Sequence, residues 1–292
     1  MENQKENIQE KTQEFCGDEE EKEKNPHKIT FVSALYKLYD EKDEPYDHKN
    51  KEWRINHFRD LAKTGIQIVV YACATMEPSM KELAEEFPQN VRVLSLKTCY
   101  EELPLYKLCM KKKDDGTCSL NLPCHRNTKK DTHEYITLMN CKMEFMRDAI
   151  IQNPFQTPFF AWMDFSMAYL FKAKEKTSKK MWDLSKDMDL NYRGMLFPGC
   201  WDKIPTNYYI MVKDHICWRF CGTFFIGDVG SIMNFYEYYI QHLPRFIKET
   251  NTLTWEINMW AWLEANTGWK PQWYSSDHND RLIEVPGFVF FG

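Results

Sequence analysis

Between residues 29 and 96 the hydrophobic period switches repeatedly between that of a strand and that of a helix, and this alternation constrains the fold most. Ile29–Leu35 is an apolar run of strand length. Residues 51–63 then place Ile55, Phe58, Leu61 and Ala62 on one helical face. Residues 67–72 (QIVVYA) return to β-branched strand character, Pro78 opens a short helix carrying Leu83, Ala84 and Phe87, and residues 91–96 (VRVLSL) alternate. Strand, helix, strand, helix, strand in that order predicts a parallel sheet with helices packed on its faces. Downstream, residues 97–130 read as an irregular inserted loop. Residues 132–152 read as one long helix whose stripe of Ile136, Met139, Met143, Met146 and Ile150 is core packing. A charged loop is expected over 172–189, and strands over 194–197, 208–212 and 223–226. Two helices are expected over 231–247, interrupted near Pro244, and 253–265, then a strand-like segment over 269–274. With no internal repeat and no Gly/Ser linker, the expectation is one α/β domain over 29–292, with a mostly parallel central sheet and helices on both faces.

Charge narrows the function classes. Residues 1–28 hold nine acidic and five basic side chains, so this segment, expected to be a disordered acidic tail, carries most of the formal net charge of −5. The remainder is nearly neutral and offers no general basic surface for nucleic acid. No apolar run approaches the length of a membrane span, and the charged N-terminal residues lack a signal-peptide core. The ten cysteines are therefore expected to be reduced and the protein cytoplasmic, in the host cytoplasm if its source is a virus. Cys109, Cys118, Cys124 and His125 lack the paired C-x2-C spacing of structural zinc, so a loop with free thiols is the expectation there.

The stretch Phe159-Phe160-Ala161-Trp162-Met163-Asp164-Phe165-Ser166-Met167 points to chemistry. A buried strand excludes a lone aspartate, because an unpaired charge in an apolar setting is costly. Asp164 is therefore expected at the strand's carboxyl end, where open α/β sheets bind ligands. The chain has no G-x-G-x-x-G after its first strand, no Walker-A sequence and no G-x-S-x-G elbow, which argues against dinucleotide oxidoreductases, P-loop enzymes and α/β-hydrolases.

The segment KDTHEYITLMNCKMEFMRDAIIQNPF followed by FFAWMDF, the later RFCGTFFIG and the helix TWEINMWAWLE resemble the HtrL/YibB (WlaTC-type) family over roughly residues 29–285. That resemblance implies a GT-A-like glycosyltransferase using a nucleotide-sugar donor, a glycan or protein acceptor and Mn²⁺ or Mg²⁺. It implies Asp164 as metal ligand at the donor diphosphate, since these hard cations take oxygen ligands. Ser166 stands where a typical GT-A Asp-x-Asp has its second carboxylate. His278 is the implied further metal ligand, and Glu256 the general base that takes the acceptor's proton, although a carboxylate opening a helix is also stabilised by the dipole.

Donor contacts are expected from Ser33, Ala34 and Tyr36 around the end of the first strand, with Tyr36 stacking on a base or simply packing. Asn140 and Lys142 are implied donor contacts, though two residues apart on a straight helix they face about 200° apart. Asp131 either binds the donor or, with Thr132, caps the helix. Arg219 is a candidate phosphate partner, Gly222 lets backbone approach a sugar, and Thr223 completes that group. Two alternatives stand beside the transferase: a non-catalytic carbohydrate- or protein-binding module, and a sugar nucleotidyltransferase. The second needs a basic, glycine-rich loop after the first strand, where residues 36–50 offer only Lys37, Lys42 and Lys49 and no glycine.

Overall fold

The first strand, β1 (Ile29–Leu35), is central to the sheet, and its residues alternate between two cores. Phe31 faces one side and Val32 the other, both fully buried. The computed structural model describes residues 25–36, 49–205 and 209–290. Residues 1–24 of the expected acidic tail, Lys37, Lys42 and Tyr208 lie outside the described residues, whereas 25–28 are bonded to the domain. Asn25 exchanges hydrogen bonds with the Gln67 amide, and Lys28 donates to Met188 O at 2.8 Å.

The chain continues through α1 (Lys51–Ala62), β2 (Gln67–Ala72), α2 (Glu77–Glu86) and β3 (Val91–Leu94). The expected inserted loop contains a 3-10 turn at Tyr100–Glu102 and α3 (Pro104–Cys109), where Pro104 pre-sets the first helical turn. The long helix expected over 132–152 is two helices, α4 (His133–Asn140) and α5 (Lys142–Gln152), separated at Cys141 with φ −80° and ψ 0°. Then come β4 (Phe159–Met163), α6 (Lys174–Asp187), β5 (Met195–Gly199), α7 (Tyr209–Asp214), β6 (Phe224–Asp228), α8 (Val229–Thr250), α9 (Glu256–Asn266) and β7 (Gln272–Ser275).

Three further expectations are corrected. The charged loop over 172–189 is α6: Thr177, Met181 and Leu184 are buried at helical spacing under an otherwise charged surface, a stripe too thin to register beside so many lysines. The strand over 208–212 is α7, packed on α9 and anchored where Val212 O accepts from Asn258 Nδ2 at 2.9 Å. The helix through Pro244 is not interrupted, since α8 runs on to Thr250 with the proline inside it.

The sheet order is β3-β2-β1-β4-β6-β5-β7. β6 is antiparallel to both neighbours, and every other pairing is parallel. One face carries Val32, Val69, Phe160, Trp162, Phe197 and Phe225 against the apolar sides of α5, α8 and α9. The opposite face carries Phe31, Ile68, Val70, Ala161 and Ile226 against α1, α2 and α6. The α/β arrangement expected from the sequence, a mostly parallel central sheet with helices on both faces, is thus the one the chain adopts. Six strands end at one edge and β6 begins there, so that edge collects the loops of the whole molecule.

Candidate active site

A cleft of about 1160 Å³ opens along that edge. Its floor forms where four segments meet. β4 delivers Asp164 just beyond Met163, and the reversed β6 brings Gly222 and Thr223 beside it, with Asp164 N–H donating to Thr223 O at 2.9 Å. The first residue of α5 is Lys142 and the first of α9 is Glu256. The Lys142 ammonium is buried and donates to Glu256 Oε1 at 2.7 Å and Gly222 O at 2.8 Å, and lies 3.0 Å from Asp164 Oδ1. The Trp162 ring lies under the ammonium, 5.5 Å from it to the centroid, and Trp162 Nε1 donates to Asp164 Oδ1 at 2.8 Å. Burial alone would depress the Lys142 pKa, but the Asp164 and Glu256 carboxylates outweigh it and hold it above the ordinary lysine value.

The other cleft walls are aromatic and basic. Tyr36, Trp53, Tyr135, Tyr169, Trp218 and Trp255 all line it. Trp53 and Tyr169 pack at 5.4 Å, with Lys49 Nζ over the Tyr169 ring at 4.4 Å. Six lining side chains are basic (Lys49, Lys51, Arg54, Arg59, Lys130, Lys142) and three are carboxylates (Glu52, Asp164, Glu256). A protein of net charge −5 therefore concentrates positive charge in this cleft, the signature of an anion site.

The structure brings together Ala34, Tyr36, Lys142, Asp164, Gly222, Thr223, Glu256 and His278, all of which line the cleft. The remaining candidates serve the scaffold. Ser33 is fully buried inside β1. Asn140 donates to Ile136 O and Thr254 O and accepts from Tyr239 Oη, fastening α4 to the approach of α9. Arg219 is fully buried in a fork-to-fork pair with Glu264, at 2.7 and 2.9 Å, with Trp273 stacked on its guanidinium at 3.9 Å. Asp131 accepts from Asn127 N–H at 3.0 Å and Trp255 Nε1 at 3.3 Å, while Thr132 is the residue that caps α4. Asp131 acts on the cleft by steadying Trp255 and by lying 3.7 Å from the Lys130 ammonium.

Sequence reasoning missed Trp53, Lys49, Arg54, Tyr169 and Trp218. A signal existed for the first three, because KNKEWRIN interleaves basic and aromatic residues just after the first strand.

The expected metal pair does not suit a divalent cation. His278 Nε2 is bonded to Thr223 Oγ1 at 2.9 Å. Asp164 Oδ1 already serves Trp162 and an ammonium. Among the described residues no group of three or more His, Cys, Asp or Glu is arranged to hold a metal, which includes the cysteines near His125.

A family model described as "Bacterial protein of unknown function (HtrL_YibB)" matches residues 104–251. Protein HtrL of Escherichia coli (strain K12) is 24% identical over 132 residues, 45% of this chain and 46% of that protein. The chain thus spans about half the length of the curated relative it matches. Among solved structures, apo mouse xyloside xylosyltransferase 1 superposes with a TM-score of 0.44 at 8% identity, covering 85% of each chain. The 4-diphosphocytidyl-2C-methyl-D-erythritol synthase of Anaerococcus prevotii DSM 20548 superposes with a TM-score of 0.42 at 8% identity, covering 91% of this chain and 96% of that one. With the family model matched over half of its length, the chain belongs to the HtrL_YibB family.

Proposed function

We propose that the protein is a glycosyltransferase that moves a sugar from a nucleotide-diphosphate sugar to an acceptor hydroxyl, on a glycan or protein, in surface glycan synthesis. One observation carries the reading: Lys142, Asp164 and Glu256, from three separate segments, meet on the floor of a basic, aromatic-walled cleft at the ligand-binding edge of the sheet. The aromatic walls offer stacking surfaces to a base or a sugar ring. The excess of lysines and arginines suits a diphosphate.

In the transfer, the acceptor oxygen bonds the anomeric carbon as that carbon's bond to the diphosphate breaks. The hydroxyl proton passes to Glu256, and the diphosphate leaves with the bonding electrons into the field of the cleft's cations. Asp164 orients Lys142 and, through its exposed side, faces the donor.

Calorimetry with UDP, GDP and their sugars, with and without Mn²⁺, tests this reading. Binding of one nucleotide series is expected. Glu256→Gln should keep that binding and lower turnover by roughly 10²–10⁴-fold, the range for a general base. If no nucleotide binds under any condition, the transferase assignment fails. Saturable binding of a sugar without nucleotide or turnover would favour a carbohydrate-binding module instead.

A further inference from the structure

We propose that this cleft holds the donor's diphosphate with the protein's own cations and needs no divalent metal, the Lys142 ammonium standing where such an ion would sit. The proposal rests on the transferase reading for the identity of the ligand, but its physical basis is the cleft itself.

A dication is held by oxygen atoms that are open to it at about 2.0–2.2 Å, and hard cations gather several such ligands. Here both floor carboxylates already converge on a cation. Lys142 Nζ has three N–H donors and three oxygen partners: Glu256 Oε1 at 2.7 Å, Gly222 O at 2.8 Å and Asp164 Oδ1 at 3.0 Å. A second, doubly charged ion on Asp164 would lie within a few ångströms of a fixed positive charge inside a low-dielectric floor, where like-charge repulsion is weakly screened. The neutral Ser166 adds no charge to oppose that repulsion, and the His278 imidazole is already bonded to Thr223.

The same three contacts suggest how the diphosphate is received. Glu256 and Gly222 hold the ammonium from within the protein, and Glu256 is almost fully buried. Asp164 is the longest of the three contacts and its side chain is 37% exposed. A phosphate oxygen entering from the cleft takes over the third N–H from Asp164, which keeps its bond from Trp162. The remaining charge on the diphosphate is met by the other basic side chains that line the cleft, Lys49, Lys51, Arg54 and Lys130.

The test needs the wild-type chain first. Mn²⁺ is titrated into it and free Mn²⁺ is followed by electron paramagnetic resonance, where no saturable uptake is expected. UDP, GDP and inorganic pyrophosphate are then titrated calorimetrically in EDTA and again in Mn²⁺. At least one is expected to bind with affinities agreeing within about twofold between the two conditions. Saturable uptake of one Mn²⁺, or an affinity at least about tenfold weaker in EDTA, overturns the proposal and leaves the transferase reading intact. Pyrophosphate binding in EDTA without any nucleotide binding supports the proposal and defeats the transferase reading. Failure of all three ligands overturns both. Lys142→Ser gives a converse check where it folds: with the ammonium gone, Asp164 and Glu256 are expected to gain Mn²⁺ uptake that the wild type lacks, and uptake by neither protein with diphosphate affinity unchanged overturns the proposal.

Discussion

At the scale of single residues, Gly222 shows how tightly the floor is drawn. A Cβ at this position would run into Glu256 Oε1 and stand 3.0 Å from Ile257 Cγ2, so even alanine must push the head of α9 away from Lys142. Gly222→Ala is expected to cost roughly 1–3 kcal/mol in urea unfolding, the usual range for overpacking, and to abolish sugar transfer while the far-ultraviolet circular dichroism is retained. Unchanged turnover would show that Glu256 need not hold its place. Asp164 was legible because a carboxylate that ends an apolar strand has few places to go. The partnership of Lys142 with Glu256 was not, since the two are 114 residues apart and no periodicity connects them. Arg219 misled for the same reason: its buried partner Glu264 is 45 residues on, in a helix whose aromatic pattern gives no hint of a charge facing inward.

Among elements, the turn from β6 into α8 joins sheet and helix through one side chain. Asp228 accepts from Ser231 N–H at 3.1 Å as the cap of α8, and from Gly194 N–H at 2.7 Å just before β5. Burial by itself raises a carboxyl pKa, but these hydrogen bonds prevail and set Asp228 below its ordinary value of 3.8. A carboxyl depressed in the folded state contributes stability that is fully present above 3.8 and lost as pH falls through the folded value. Asp228→Ala should therefore cost about 0.5–2 kcal/mol near neutral pH, and its gap from wild type should narrow below pH 3.8 in chemical denaturation. A gap that widens on acidification contradicts this account. The strands were the most legible elements, with Ile29–Leu35 and Gln67–Ala72 read to the residue, because fully buried strands announce themselves as unbroken apolar runs. Helix α6 was hidden because its apolar stripe is three residues wide in a lysine-rich surface, and α7 because its short Tyr-Ile-Met-Val run has strand propensity that packing against α9 overrides.

For the molecule as a whole, residues 25–28 act as a clasp across the edge of the sheet opposite the cleft. Asn25 reaches Gln67 and Phe155 O, His27 meets Ser185 Oγ at 2.8 Å and Lys28 reaches Met188 O, so one short segment ties β2, the approach to β4 and α6 together. A chain beginning at residue 29 should unfold at lower urea than one beginning at residue 25, by roughly 0.5–1.5 kcal/mol for each bond removed, with nucleotide affinity unaffected. Equal midpoints would make the clasp ornamental. The reversed strand β6 has a consequence of another kind. Because β5 leaves the sheet at the cleft edge and β6 re-enters at that same edge, the chain between them starts and finishes on the cleft side, with Thr223 beside Asp164. It contributes Ile216 and Trp218 to the cleft wall, while Cys217, Arg219 and Phe220 beside them are fully buried. Over evolutionary time the cleft wall can thus change at Ile216 and Trp218 while the buried Arg219 and the Gly222 carbonyl that accepts from Lys142 stay fixed.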